Sequence, residues 1–259
     1  MEYVIDLQQV SWKRGEAALL DNVNWQVKKG EHWVLLGLNG SGKTTLLNLI
    51  NGYIWPTTGT VQVLGKRFGS TNLPELRKSI GWVSSSLQEK LYGNDLAQEV
   101  IISGKHASIG LYEHVTEEDL NRALSLLNIL GCSHLVNRTY ETCSQGEKQK
   151  LLIARALMAD PDILILDEPC NGLDLFARER LLQSVNELAV MENGPTLIYV
   201  THHIEEILPV FQHALLLRSG EVFMKGNTKE VLGKENLSAF FEHPVSVKWD
   251  DDRASVQLI

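Results

Sequence analysis

Two spacings of apolar residues along the chain predict a mixture of strands and helices. Short stretches rich in apolar residues predict strands at residues 4–10, 21–27, 32–36, 60–64, 80–83, 163–166, 196–200, 214–218 and 221–224. The run 163–166 contains no polar residue, which is typical of a strand covered on both faces of a parallel sheet. We therefore expect a buried parallel sheet, with an antiparallel β region near the N-terminus.

The second spacing is helical. Leu120, Ala123, Leu127 and Leu130 repeat at intervals of three or four residues, and Gly131 follows as a C-terminal cap. The same kind of pattern predicts helices at residues 44–50, 144–159, 175–190 and 204–210. Residues 87–155 are predicted to form a mostly helical insertion between strands. The chain is therefore expected to have an α/β fold.

Composition and charge narrow the classes of protein. A length of 259 residues suits one large domain, or one domain with an inserted lobe. Lys and Arg number 24 and Asp and Glu number 32, and this net charge of −8 disfavours non-specific binding of nucleic acid. No apolar run approaches the roughly 20 residues of a membrane helix, and the N-terminus lacks the pattern of a secretory signal. Cys132, Cys143 and Cys170 form no metal or disulfide pattern, which favours reduced thiols.

A glycine-rich motif of the form G-x-x-x-x-G-K-[ST] lies between a predicted strand and a predicted helix. Glycines let the backbone approach an anion closely, and the amides of the loop and of the helix N-terminus then bind phosphate. Lys43 is expected to reach the β- and γ-phosphates, and Thr44 to bind Mg²⁺. The residues predicted to bind ATP are Gly37, Asn39, Gly40, Ser41, Gly42, Lys43, Thr44 and Thr45.

A pair of carboxylates follows the apolar strand 163–166. Asp167 and Glu168 stand at its carboxyl end, where open parallel sheets bind their ligands. We expect Asp167 to hold Mg²⁺, directly or through water, and Glu168 to orient or deprotonate an attacking water. Together with the glycine-rich loop, the pair indicates a P-loop nucleotide hydrolase.

A short segment before this strand indicates which class of P-loop protein is present. Cys143, Ser144, Gln145, Gly146 and Glu147 precede it, and alone they would predict only a helix cap. In this order along the chain, the segment resembles the LSGGQ signature of ABC ATPases. Ser144 and Gly146 match that signature, whereas the other three residues depart from it. The resemblance implies that Ser144 and Gly146 contact the γ-phosphate of ATP bound by a second copy.

Two further motifs of that family follow in order. Residues 171–174 occupy the place of the D-loop, in which Asp174 is implied to shape the interface with the second copy. His202 follows a predicted strand and matches the switch histidine, which is implied to contact the γ-phosphate and position Glu168. The doublet His202–His203 leaves metal binding as an alternative, but no Cys or further His stands nearby at ligand spacing.

Two positions depart from the family pattern. Arg14 occupies the place of an aromatic residue that stacks on adenine, so either Arg14 or the nearby Trp12 is the candidate to stack on the base. The alternative for Trp12 is a residue of the strand core. Ser85 stands where the Q-loop glutamine is expected, and Gln88, three residues later, replaces it only if the loop shifts.

The resemblance covers residues 4–226 and implies a RecA-like core at residues 1–86 and 156–226, a helical lobe at 87–155 and a C-terminal extension at 227–259. It implies an ATPase that uses ATP and Mg²⁺ and works as a head-to-tail dimer, expected to be a homodimer. We expect it to serve separate transmembrane permease subunits from the cytoplasmic face of the membrane. The alternatives are a non-transport ABC ATPase acting on nucleic-acid or assembly machinery, and a nucleotide-binding regulator. The wording of the motifs is similar to a branch that includes molybdate-transport-associated ATPases.

Overall fold

The computed structural model describes residues 3–259, except for the side chain of Ser85. Its strands are β1 (Tyr3–Arg14), β2 (Ala17–Lys28), β3 (Trp33–Leu36), β4 (Thr58–Val63), β5 (Lys66–Arg67), β6 (Ile80–Val83), β7 (Ile163–Asp167), β8 (Thr196–Thr201), β9 (His213–Arg218), β10 (Glu221–Asn227), β11 (Val245–Asp250) and β12 (Arg253–Leu258). Its helices are α1 (Lys43–Ile50), α2 (Leu73–Lys78), α3 (Ser85–Gln88), α4 (Ala97–Ser103), α5 (Glu117–Ile129), α6 (Gln145–Leu157), α7 (Leu175–Ala189), α8 (Thr228–Val231) and α9 (Lys234–Phe241).

The chain divides into two compact units. The first contains the described residues up to Arg77 together with Thr196–Ile259, and the second contains Lys78–Pro195. In the first unit, an antiparallel sheet has the strand order β2-β1-β4-β5, as expected for the N-terminal region. A second sheet of this unit places β3 between β8 and β9, and β3 is parallel to both. The α/β fold class with a parallel sheet is therefore confirmed.

Aromatic packing anchors β3 in the first unit. Trp33 meets Trp25 edge to face, with ring centroids 5.8 Å apart, and stacks on His213 at 4.9 Å. All four residues of β3 are buried, as are the six residues of β8. The carboxyl ends of β3 and β8 are thus held side by side in a rigid, apolar layer.

The second unit contains the parallel pair β6 and β7 and most of the helices. Helix α5 begins where Thr116 and Asp119 form a reciprocal capping box, and Gly131 follows it with a φ of 66°. Close packing occurs at Gly104, where an added Cβ would lie only 1.9 Å from the carbonyl oxygen of Arg155. The buried Arg155 donates to the Ser103 hydroxyl over 3.2 Å and so joins α6 to α4.

One predicted helix is wrong. Instead of a helix at residues 204–210, only a single 3₁₀ turn forms, at Ile204–Glu206. Pro209 explains the difference, because it lacks an amide hydrogen and disfavours helical geometry at the residue before it.

The C-terminal residues contain two short helices and a hairpin. Strands β11 and β12 pair antiparallel, and Asp251 and Asp252 form the turn between them. The Arg253 guanidinium donates to the carbonyl oxygen of Glu205 over 2.5 Å. This hydrogen bond connects the hairpin to the 3₁₀ turn that follows β8. Among the described residues, none of the helices is long and apolar enough to cross a membrane.

Candidate nucleotide-binding site

The glycine-rich loop is pressed against neighbouring backbone in the first unit. Gly42 has a φ of 106°, and a Cβ there would lie 2.9 Å from the Leu19 carbonyl oxygen. A Cβ on Gly37 would lie 2.8 Å from the Leu217 carbonyl oxygen. Gly40 also has a positive φ, of 79°. Side chains at these positions would clash or strain the loop, which explains why glycine is needed there.

The loop leads directly into the N-terminus of α1. Gly42 is the N-cap of this helix and gives it no side-chain cap, and the first turn carries no acidic residue. Gly42 therefore offers no side-chain acceptor to the first amides of α1. The positive end of the helix dipole favours an anion at this point.

Lys43 places a positive charge inside this loop. Its side chain is buried, and its ammonium group donates to the carbonyl oxygen of Gly37 over 2.8 Å and to that of Leu38 over 3.3 Å. The hydroxyl of Ser41 is also buried and has no hydrogen-bond partner in the part of the chain that the structure describes. A buried hydroxyl without a partner costs free energy, and a phosphate oxygen is a suitable acceptor for it. The loop therefore fits a phosphate group.

The remaining predicted residues of the loop are more accessible. Asn39 and Thr44 are exposed, whereas Thr45 is half-buried on α1. The carbonyl oxygen of Thr44 accepts from the Asn48 side chain over 2.8 Å, which holds the first turns of α1 together. The accessible hydroxyl of Thr44 suits a metal bound beside the phosphates. The described residues contain no cluster of three or more His, Cys, Asp or Glu that could hold a metal by itself.

His202 emerges beside the glycine-rich loop. In the first unit Leu36 pairs with Thr201, and the amide of Gly37 donates to the Thr201 carbonyl oxygen over 3.4 Å. The loop and the segment carrying His202 thus leave the carboxyl ends of adjacent parallel strands. His202 is half-buried, and its ring centroid lies 4.0 Å from that of His203. This placement suits a contact with a bound γ-phosphate.

A buried hydrogen-bond network supports the His202 segment, and no sequence pattern predicted it. The Glu206 carboxylate is buried and accepts from the Thr201 hydroxyl over 2.7 Å and from the Tyr199 hydroxyl over 3.1 Å. The Thr201 hydroxyl in turn accepts from the amide of His203 over 3.0 Å. These bonds tie the turn after His202 back to β8.

The candidates for base stacking lie in the same unit as the loop. Trp12 is half-buried and pairs across the sheet with Leu20, whose side chain would lie 3.3 Å from a Cβ on Gly42. Arg14 is exposed and pairs with Ala17 at the end of the β1–β2 hairpin. The register therefore places Trp12 closer than Arg14 to the part of β2 that packs on the loop. Trp12 is half-buried, so part of its ring is accessible, and stacking on the base and packing in the strand both stay predictions.

In the second unit, the carboxylates lie at the end of β7 as predicted. Asp167 is the last residue of this strand, and both it and Glu168 are half-buried. Glu168 adopts a left-handed conformation, with a φ of 50°. Such a conformation costs a non-glycine residue of the order of 1 kcal/mol and is concentrated at functional sites.

The predicted signature forms the start of α6. Ser144 is the N-cap: its hydroxyl accepts from the amide of Glu147 over 3.3 Å, and its own amide donates to the Glu147 carboxylate over 2.7 Å. Burial raises the pKa of this carboxyl, but the hydrogen bonds from His134 and Ser144 outweigh it and lower the pKa to about 2. Ser144 is exposed and Gly146 is half-buried, so the helix start is accessible to a second molecule.

The predicted D-loop lies beside the signature. Asp174 is the N-cap of α7 and accepts from the amide of Ala177 over 2.9 Å. A Cβ on Gly146 would lie 3.3 Å from the Cβ of Ala177, so glycine at this position lets the two helix starts approach. The second unit thus brings Asp174 and the residues of the signature together.

Gln88, the possible replacement for the Q-loop glutamine, is in direct contact with Gln145 of the signature, which sequence reasoning missed. The side chain of Ser85 lies outside the described residues. Gln88 donates to the Gln145 side-chain oxygen over 2.9 Å, and Gln145 donates back over 3.1 Å. The buried Gln149 also donates to the Gln88 oxygen over 3.1 Å. We call these three residues the amide cluster.

Comparisons with known proteins agree with this geometry, which by itself defines a P-loop nucleotide-binding protein. A model of the family described as ABC transporter matches residues 20–171, more than half of the chain. The chain is 54% identical over 251 residues to the uncharacterized ABC transporter ATP-binding protein YlmA of Bacillus subtilis (strain 168), covering 96% of this chain and 95% of the relative. It is 36% identical over 200 residues to the ABC transporter ATP-binding protein ModF of Escherichia coli (strain K12), covering 76% of this chain and 41% of ModF.

Solved structures agree as well. The chain resembles the ATP-binding cassette MJ0796, solved as a dimer in a post-hydrolysis state with ADP and phosphate, with a TM-score of 0.72 and 30% identity. The match covers 86% of this chain and 98% of MJ0796. The chain belongs to the ABC transporter family, and it is an ATP-binding ATPase of that family.

Proposed function

We propose that the chain hydrolyses ATP as a head-to-tail dimer and thereby drives a membrane transporter. The observation that carries this proposal is the pair of accessible helix starts: one follows the phosphate loop, and the other carries Ser144 and Gly146. In a head-to-tail dimer, the signature of one copy faces the ATP on the phosphate loop of the other. The dimer of the related cassette MJ0796 supports this arrangement. We expect two identical copies.

Each predicted residue then has a role in the reaction. Lys43 offsets the charge of the β- and γ-phosphates, together with the loop amides. Glu168 orients the attacking water or accepts its proton, and His202 contacts the γ-phosphate. Thr44 and Asp167 would hold Mg²⁺, which supplies further charge neutralisation when bound. The half-buried position of Glu168 and its unusual backbone suit a residue held ready for one orientation.

The membrane side of the proposal rests on the family. We propose separate transmembrane permease subunits as partners, with this chain attached to them at the cytoplasmic face of the membrane. The division into a core at residues 1–86 and 156–226, a helical lobe at 87–155 and an extension at 227–259 is proposed as the working organisation. Recovery of an integral membrane protein with the tagged chain from solubilised membranes supports transport, whereas recovery of ribosomes or DNA instead points to a non-transport ATPase.

The dimer is tested by Glu168→Gln. Removing the general base should lower turnover at least about a hundredfold, while ATP still binds and holds two copies together. Size-exclusion chromatography with MgATP should therefore show a dimer, and without nucleotide a monomer. Lys43→Ala in the same background is the control, because loss of phosphate binding should abolish the dimer. A monomer in every condition would falsify the head-to-tail model.

A further inference from the structure

The amide cluster joins two segments that both depart from the family pattern. Gln145 stands in the signature where glycine is usual, and Gln88 lies three residues beyond the expected Q-loop position. In the structure the two side chains exchange hydrogen bonds of 2.9 and 3.1 Å. The candidate for the Q-loop glutamine and the departure in the signature are therefore parts of one contact.

The bonding pattern makes Gln88 the centre of the cluster. Its side-chain oxygen accepts from both Gln145 and Gln149, and its nitrogen donates to Gln145. Gln149 is only 3% exposed, so loss of its acceptor would leave a buried amide unsatisfied. Gln145 and Gln149 are four residues apart and lie on one face of α6. The side chain of Gln88, at the end of α3, is therefore hydrogen-bonded to both Gln145 and Gln149 near the start of α6, which we call the signature helix.

The amide cluster lies beside the residues that we propose contact the second copy. Gln145 follows Ser144, the N-cap of α6, and precedes Gly146. Helix α3, which ends at Gln88, follows β6, and Val83 of that strand pairs with Leu166 of β7 just before Asp167. The amide cluster is therefore a direct side-chain connection, within the second unit, between the segment after β6 and the start of the signature helix.

We propose that Gln88 is a positioning residue that orients the signature helix, so that Ser144 and Gly146 fit the γ-phosphate held by the partner copy. It acts in trans, through Gln145 and Gln149, and not on the nucleotide of its own chain. This inference rests on the proposed head-to-tail dimer.

Single and double variants test the connection. Gln88→Leu should lower kcat about tenfold and leave the KM for MgATP within about twofold, since the phosphate loop is untouched. Gln145→Leu should cause a similar loss, and the double variant should lose little more than either alone. Gln88→Glu should retain most activity, because a carboxylate still accepts from Gln145 and Gln149. Gln183→Leu, which removes an exposed amide of α7, is the matched control and should behave as wild type.

Additive losses, or full activity of Gln145→Leu, would show that Gln88 does not act through Gln145. A loss confined to KM would contradict the proposal in another way, because it would place Gln88 at the nucleotide of its own chain. Circular dichroism and thermal melting of each variant separate these outcomes from misfolding.

Mixed dimers distinguish action in trans from action in cis. Lys43→Ala lacks phosphate binding but has an intact amide cluster, and Gln88→Leu has the reverse. In a mixed dimer, one site combines the intact phosphate loop with the intact signature. Mixing the two inactive or weakened proteins should therefore raise ATPase activity well above the average of the two alone. No rise would refute action in trans.

A second mixture separates this proposal from the dimer model itself. Lys43→Ala combined with Ser144→Ala should also regain activity, because the signature of one copy again meets the phosphate loop of the other. If this control mixture regains activity and the Gln88→Leu mixture does not, only the role of Gln88 is wrong. If neither mixture regains activity while Glu168→Gln fails to dimerise, the head-to-tail model is wrong.

Discussion

At the scale of single residues, the phosphate loop shows how tightly backbone geometry limits sequence. Gly37 and Gly42 each leave room for a carbonyl oxygen that a Cβ would displace, and Lys43 folds back onto the loop carbonyls. The carbonyl oxygens that limit the two glycines belong to Leu217 and Leu19, which lie far from them in sequence. The spacing of the glycines and Lys43 predicts the loop from the sequence alone. Only the structure reveals these close contacts, and the buried Ser41 hydroxyl that has no partner among the described residues.

Base stacking is a prediction at the same scale. Because Trp12 pairs with Leu20 beside the loop, Trp12→Ala should weaken ATP binding about tenfold, in line with a stacking contribution of roughly 1–3 kcal/mol per base. Arg14→Ala should weaken it less, because Arg14 pairs farther along the hairpin. Isothermal titration of both variants with ATP measures the difference. If neither variant weakens binding, the base is held by other residues.

At the scale of elements, the capping box of α6 predicts a pH dependence. The pKa of Glu147 is lowered to about 2 from its ordinary value of 4.5, so its charged form stabilises the folded protein. This stabilisation is present above about pH 4.5 and is lost as the pH falls towards about 2. Glu147→Gln should therefore lower the free energy of unfolding by about 1 kcal/mol at pH 7.

Urea unfolding at pH 7 and at pH 3 measures this effect, and the difference between Glu147→Gln and wild type should shrink at the lower pH. The exposed Glu192 offers a control, since Glu192→Gln should change stability little at either pH. A difference that stays constant with pH would contradict the assigned ionic role.

The C-terminal hairpin gives a second prediction at this scale. Its two turn residues, Asp251 and Asp252, have φ values of 43° and 64°, which favour Asn-Gly in a two-residue turn. Asp252→Gly should raise the free energy of unfolding by up to about 1 kcal/mol. The lost ion pair with Lys229 lies at the exposed surface and offsets little of this gain. Asp250→Gly, within β11, should lower stability instead, and thermal melting compares the two.

The elements also show where sequence reasoning succeeds and where it stops. Strand β6 and helices α1 and α7 follow from local apolar spacing, and their predicted bounds agree within a residue. The helix expected at residues 204–210 fails because Pro209 outweighs its apolar spacing. The amide cluster was beyond prediction, because Gln88 and Gln145 are 57 residues apart and no periodicity links them.

At the scale of the whole molecule, the three thiols all lie in the core of the second unit. Cys132, Cys143 and Cys170 are all buried, and burial raises the pKa of the Cys132 and Cys143 thiols. Native protein at pH 8 should therefore react slowly with a thiol reagent such as DTNB, whereas all three thiols of the unfolded protein should react promptly. Ser70→Cys, at an exposed position, should add one fast-reacting thiol. Prompt reaction of native wild-type protein would contradict this burial.

The fastening of the final hairpin has a practical consequence for anyone shortening this protein. Arg253 holds the carbonyl oxygen of Glu205, only three residues after His202. Strand β12, which begins at Arg253, therefore supports the segment that carries His202, although the two are far apart in sequence. A C-terminal deletion that removes Arg253 would also remove this hydrogen bond. ATPase activity, as well as folding, should therefore be measured for such a deletion.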